Sequence, residues 1–215
     1  MTGRGRLITL EGGEGAGKST QIGRLAASLA AAGVEILVTR EPGGTPGAEA
    51  IRRLLVGGAP ERWLPLSETL LILAARHDHV MRRIEPALAE GRWILCDRFS
   101  DSTRVYQGLA GGVGLAVVDR LHESVFGALR PDLTLILDLP VELGLRRRRR
   151  APGANRFERK ERAFHEQVRA GFLDLARAEP ERCVVVDAAR PALEVAGAIR
   201  GIVAARFALE LEDQG

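Results

Sequence analysis

The chain has 215 residues, 46% of them hydrophobic, and a formal net charge of only +3, enough for one substantial core with no need of a second domain. With 31 basic residues against 28 acidic ones there is no strong overall field, which argues against a nucleic-acid partner and for small anions held by local arginine clusters. No apolar run reaches the ~18 residues of a membrane span, the first six residues lead into a strand without a signal-peptide core, and Cys96 and Cys183 sit in apolar runs; the expectation is a cytoplasmic protein without a membrane partner, its thiols buried and reduced.

The first predicted strand, Leu7 to Leu10, runs into Gly12-Gly13-Glu14-Gly15-Ala16-Gly17-Lys18-Ser19, and a helical pattern follows from Thr20 to Ala32. Strand, glycine turn and helix start are the context that the G-x-x-x-x-G-K-[ST] pattern requires. Glycines let backbone N–H groups curl around phosphate oxygens, the helix start favours negative charge, Lys18 reaches the β- and γ-phosphates, and Ser19 can ligate Mg²⁺. Residues 12–19 with Thr20 are therefore the expected ATP site: Gly12, Gly13, Glu14, Gly15, Ala16, Gly17, Lys18, Ser19 and Thr20. The alternative, a glycine turn that binds nothing, leaves the lysine unexplained. Only Lys18 and Lys160 are lysines in a chain that otherwise uses arginine, and a slim ammonium fits where a guanidinium fork collides with phosphates.

A second strand over Glu35–Thr39 leads to the turn Arg40-Glu41-Pro42-Gly43-Gly44-Thr45, and a helix from about Pro46 carries Arg52 and Arg53, the latter read as solvated. The helical pattern from Leu66 to Glu90 holds Ile72 and Arg76 four residues apart, on one face. An arginine among so many apolar residues needs a carboxylate or a ligand. His77 and His79 cannot share a helix face, which argues against a metal pair. A third strand, Trp93–Asp97, ends in Asp97-Arg98, followed by a loop rich in hydrogen-bonding side chains that includes the single tyrosine, Tyr106. Strands at Leu133–Leu137 and Cys183–Asp187 complete an alternation that predicts an α/β fold, a doubly wound five-stranded parallel sheet of the P-loop NTPase type, with ligands at the carboxyl ends of the strands. Between those two strands lies the run Arg146–Arg150, readable as a solvated helix end.

Taken together, the loop at 12–19, Thr39-Arg40-Glu41-Pro42-Gly43-Gly44-Thr45, Asp97-Arg98-Phe99, and Ser102-Thr103 leading to Tyr106-Gln107-Gly108 make the chain, from about residue 5 to 210, resemble the bacterial thymidylate kinases. The resemblance implies ATP-dependent phosphorylation of dTMP to dTDP, with Mg²⁺, by a homodimer of single nucleoside-monophosphate-kinase-like domains spanning 1–215. It implies that Lys18 and Ser19 hold ATP phosphates and metal, with Asp97 on the metal directly or through water, and that Glu14 lies near the dTMP sugar and metal. Arg98 and Arg52 then hold the dTMP phosphate, Arg40 and Pro42 flank the substrate, Arg76, Thr103 and Gln107 meet the thymine edge, and Tyr106 lies under the deoxyribose. Family members usually place phenylalanine where this chain has Ile72, so the base loses an aromatic platform. The arginine run matches a lid at about 146–157. Because the phosphate loop lacks an arginine, at least one of Arg147, Arg148, Arg150 and Arg156 is expected on the transferring phosphoryl. Asp187 to Pro191 resembles the segment against adenine. Two other classes fit less well: a phosphotransferase for another nucleotide, altered around 72–76 and 102–107, and a nucleotide-switch protein of slow turnover.

Overall fold

The computed structural model describes residues 3–149, 156–158 and 160–212, without the side chains at 148 and 149. Among the described residues, five strands pair in parallel in the order β2-β3-β1-β4-β5: β1 (Leu7–Glu11), β2 (Ile36–Arg40), β3 (Trp93–Asp97), β4 (Leu133–Asp138) and β5 (Cys183–Asp187). This is the expected doubly wound α/β sheet. The central strands β1 and β4 are mostly apolar and buried up to Asp138, with Thr9 and Thr134 paired to each other inside, as strands covered on both faces must be. The edge strands β2 and β5 alternate more and are partly exposed.

One face carries α1 (Lys18–Ala31) and the last helix, Ala192–Phe207, whose Leu25, Leu29, Ile199 and Val203 pack with Leu10, Leu133 and Leu135 into the larger core. The other face is covered in two parts. Val80, Ile84 and Leu88 pack with Ile94, Cys96 and Phe99, while Val168, Phe172 and Leu175 pack with Ile136, Cys183 and Tyr106. Cys96 and Cys183 are both buried and free.

Two stretches differ from the sequence expectation. The pattern from Leu66 to Glu90 is three pieces, α3 (Pro65–His79), a wide turn at Val80–Ile84, and α4 (Glu85–Ala89). The amide of Glu85 reaches back five residues to Val80. Pro86 has no N–H with which to continue the four-residue ladder, so the wider turn is the local solution. The stretch 100–109, read as loop, is helical: α5 (Ser100–Thr103) runs into a second wide turn at Arg104–Leu109. Asp101, Ser102 and Thr103 have side-chain partners in the interior instead of water, which lets poor helix formers persist.

Candidate active site

Beyond β1 the chain turns through Gly12–Ser19 into α1. Gly17 caps the helix at φ 90° and no side chain satisfies the first amides, so these donors remain for an anion. A Cβ on Gly15 would lie 2.2 Å from the carbonyl oxygen of Gly144, and one on Gly144 would lie 2.3 Å from that of Glu14. The helix α7 (Val141–Arg149) thus begins backbone to backbone on the phosphate loop. Lys18 Nζ folds onto the carbonyl oxygens of Gly12 and Gly13 at 3.2 and 2.9 Å. Burial, then the charge of Arg98, holds its ammonium below its ordinary pKa. Ser19 Oγ donates to Asp97 Oδ2 at 2.8 Å.

Arg98 has φ 68°, the left-handed region that costs a branched backbone energy. Its neighbours hold it there: the Arg98 amide donates to Leu10 O at 3.1 Å, and the next amide, Phe99 N–H, donates to Glu11 Oε1 at 2.7 Å. The guanidinium then donates to Gly12 O, Ser102 Oγ and Glu14 Oε1 at 3.0, 3.1 and 2.9 Å, and lies 4.9 Å from the centre of the Tyr106 ring. Ser102 Oγ in turn donates a hydrogen bond to Glu11 Oε2 at 2.5 Å. Burial, then the charge of Asp101, pushes the Glu11 carboxyl up to about 7. Burial also works to raise Glu14, but Arg98 and Lys18 hold it below its ordinary value. Tyr106 donates to Glu14 Oε1 at 3.2 Å and is fixed by the edges of Phe157, Phe164 and Phe172 about 6 Å away.

Some way along the same cleft the chemistry changes. Arg76 is 2% exposed. Its Nε donates to Glu41 Oε2 at 2.6 Å and its Nη2 to Phe99 O and Thr103 Oγ1 at 3.0 and 2.8 Å. Glu41 Oε1 is 3.0 Å from His79 Nδ1, and His79 Nε2 is 2.7 Å from Thr39 Oγ1. Burial works to raise Glu41, but Arg76 and His79 hold it low. Gln107 Nε2 donates to Glu68 Oε1 at 2.9 Å.

A cleft of about 430 Å³ joins the two ends and is lined by Glu14 to Thr20, Arg40, Glu41, Pro42, Arg52, Ile72, Arg76, Asp97, Arg98, Thr103, Tyr106 and Gln107, with Phe157 and Glu158 at one side. The structure therefore brings together most of the side chains singled out in the sequence. Arg52 donates to Pro42 O at 2.7 Å and Arg40 to Glu49 at 2.8 Å, while Arg53 is exposed. The arginine run enters as the C-terminal part of α7. Arg147 Nη1 donates to Ala188 O at 3.1 Å, beside the loop after β5. Arg156 is fully buried and bound to Glu68 and to the carbonyl oxygens of Leu55 and Pro60; here it ties parts of the fold together and is not among the residues that line the cleft. The side chain of Arg148, and Arg150 as a whole, lie outside the described residues. Sequence reasoning gave no individual role to Glu11, Glu41, His79, Ser102, Glu68, Phe157 and Glu158 as cleft or supporting residues. Only the carboxylate partner of Arg76 had a signal, the isolated charge on an apolar helix.

The family model for thymidylate kinase matches residues 10–199. The chain is 57% identical over 206 residues to the thymidylate kinase of Caulobacter vibrioides, covering 96% of this chain and 99% of that one. It is 58% identical over 197 residues to that of Dinoroseobacter shibae, covering 91% and 95%. Among solved structures, the thymidylate kinase of Ehrlichia chaffeensis superposes with a TM-score of 0.76 at 33% identity, over 93% of this chain and 99% of that one.

Proposed function

The chain belongs to the thymidylate kinase family, and on that premise we propose how its residues divide the work of moving the γ-phosphoryl of ATP onto dTMP. The observation that carries the assignment is the single cleft with an anion-binding loop at one end and Arg76 with Gln107 at the other. ATP phosphates sit over Gly12–Thr20, and Lys18 leaves the carbonyls of Gly12 and Gly13 for the β- and γ-oxygens. Arg98, with Arg52 behind it and Arg40 and Pro42 flanking, takes the dTMP phosphate. Tyr106 lies under the deoxyribose, and Arg76, Thr103, Gln107 and Ile72 surround the base.

Ser19 and Asp97 place two hard oxygen groups 2.8 Å apart at the loop mouth. That set suits Mg²⁺, which prefers one or two protein oxygens plus phosphates and water. Bound there, the ion would neutralise charge on the donor phosphates.

The acceptor is a phosphate oxygen already ionised near neutral pH, so no general base is required. A dTMP oxygen attacks the γ-phosphorus in line, the bond to the β-bridging oxygen breaks, and ADP leaves. Lys18 and Arg98 spread over the equatorial oxygens, and catalysis is positioning and charge neutralisation. Arg156 is held by Glu68 and the end of the 46–56 helix, so the lid contact to the transferring phosphoryl is sought among Arg147, Arg148 and Arg150; closure excludes water and limits ATP hydrolysis. The same reading carries a homodimer of single-domain subunits in the cytoplasm. No helix among the described residues is long and apolar enough to cross a membrane.

Lys18→Ala tests the assignment. With the fold intact by circular dichroism, dTMP-dependent ADP production should fall by several orders of magnitude. Near-normal turnover would remove the loop from the mechanism.

A further inference from the structure

Arg156 reaches the body of the protein from beyond the arginine run and is fully buried where it docks. Its backbone amide donates to Val56 O at 3.0 Å, its Nε to Leu55 O at 2.9 Å and its Nη1 to Pro60 O at 2.7 Å. These are the carbonyls at and just beyond the end of α2 (Pro46–Val56), where a cation is favoured. The remaining Nη2 donates to Glu68 Oε2. Glu68 is itself buried, and its other oxygen receives the Gln107 amide nitrogen at 2.9 Å.

A carboxylate paired with a guanidinium only accepts. Gln107 must therefore give Glu68 its NH₂, and its carbonyl oxygen is left without a partner among the described residues on a side chain that lines the cleft. Arg76 stands at the same end as a fixed donor. An acceptor beside a donor fits a base edge that offers an N–H next to a carbonyl, as N3–H and O4 of thymine do. It mismatches cytosine, which offers a bare N3 next to an amino group.

We propose that Glu68 is a positioning residue for base choice: pinned by Arg156 on one oxygen, it orients the Gln107 amide with the other and so presents the Gln107 carbonyl to N3–H of thymine. This rests on the placement of dTMP given above. Base reading is thereby tied to the docking of residue 156, since the guanidinium that holds Glu68 in place lies beyond the arginine run.

The test compares kcat/KM for dTMP and dCMP, with KM for ATP, in the wild type and in Glu68→Gln. The new amide can donate to Gln107, which can then turn its own NH₂ into the cleft. Arg76 still opposes cytosine, so the preference should narrow by about tenfold without inverting, while KM for ATP stays put. A merely structural glutamate would lower both activities together and leave their ratio unchanged. Arg156→Gln reads the same link from the other side, and serves if Glu68→Gln does not fold. Without the guanidinium Glu68 loses the contact that fixes its second oxygen and no longer holds the Gln107 amide in one orientation, so the ratio should narrow again. An unchanged dTMP to dCMP ratio in a folded variant of either kind overturns the proposal. A wild-type enzyme with no preference for dTMP would instead overturn the placement of the substrate.

Discussion

The two ends of the cleft solve the problem of buried charge in opposite ways. At the Arg76 end the side chains of Arg76, Glu41 and His79 are nearly inaccessible, and the arginine is bound on three sides by the protein itself. At the phosphate end Lys18 rests on two carbonyls of its own loop, Arg98 and Glu14 are paired but about 17% and 16% exposed, and Ser19 meets Asp97 at the surface. The first set is finished before a ligand arrives, because a buried guanidinium without partners would cost several kcal/mol. The second set holds stand-ins. Partly exposed pairs are worth little, so phosphate oxygens, with stronger charge-assisted bonds, can replace them.

The contrast breaks most sharply under deletion of one carboxylate from each end. Glu41→Ala strands Arg76 in the interior and should lower the unfolding free energy by about 3–5 kcal/mol. Glu14→Ala should cost less than that, because Arg98 keeps Gly12 O and Ser102 Oγ as partners, while reducing kcat. Urea unfolding beside steady-state kinetics measures both, and equal destabilisation by the two variants would erase the distinction.

A smaller effect lies beneath the phosphate end. Glu11 is pushed up to about 7 in the folded protein from an ordinary 4.5, so between those values the native state holds a proton that the unfolded chain has lost. Its contribution therefore makes stability fall as pH rises from about 4.5 to 7. His122, pushed down by burial to about 4 from 6.5, works in the opposite sense between about 4 and 6.5. Urea midpoints against pH for wild type and Glu11→Gln isolate the carboxyl: the wild type should lose ground to the variant across that window. A constant difference would mean that Glu11 is already ionised at pH 5.

The smallest effect sharpens the Arg76 end. Ile72 is buried and lines the cleft. Ile72→Phe should tighten dTMP binding by about 0.5–1.5 kcal/mol, roughly 2- to 13-fold, without moving ATP affinity. Overpacking would instead cost about 1–3 kcal/mol. Calorimetric titration decides, with Ile72→Ala as control: truncation should weaken dTMP alone, and an equal effect on both nucleotides would mean that the base lies elsewhere.

The features legible in the sequence were local. Each strand lay within a residue or so of its expected bounds because apolar runs flanked by turn residues have few alternatives, and the phosphate loop needs only eight consecutive residues. The stretch 100–109 failed because its polar residues look like loop until their partners are known. Asp101, for instance, is held by Thr134 and Arg182 from distant parts of the chain. Which carboxylate pairs with which arginine was illegible for the same reason. Glu41 and Arg76 are 35 residues apart, and Glu68 and Arg156 are 88 apart; neither spacing carries a period. The arginine run looked like a single feature with the residues just beyond it, yet Arg147 and Arg156 serve different parts of the fold.

The wide turn at Arg104–Leu109 holds one residue more than an α-helical turn would use, closed by the amide of Ala110 on Val105 O at 2.9 Å. Tyr106 and Gln107 stand on that turn and Thr103 just before it, so their common aim into the cleft depends on chain length as well as on side-chain identity. Removing a single residue there closes the wide turn into a regular helical one and shifts the side chains within it by about 100° each relative to the cleft. For this stretch, gaining or losing a codon is a more drastic edit than any exchange of one amino acid for another.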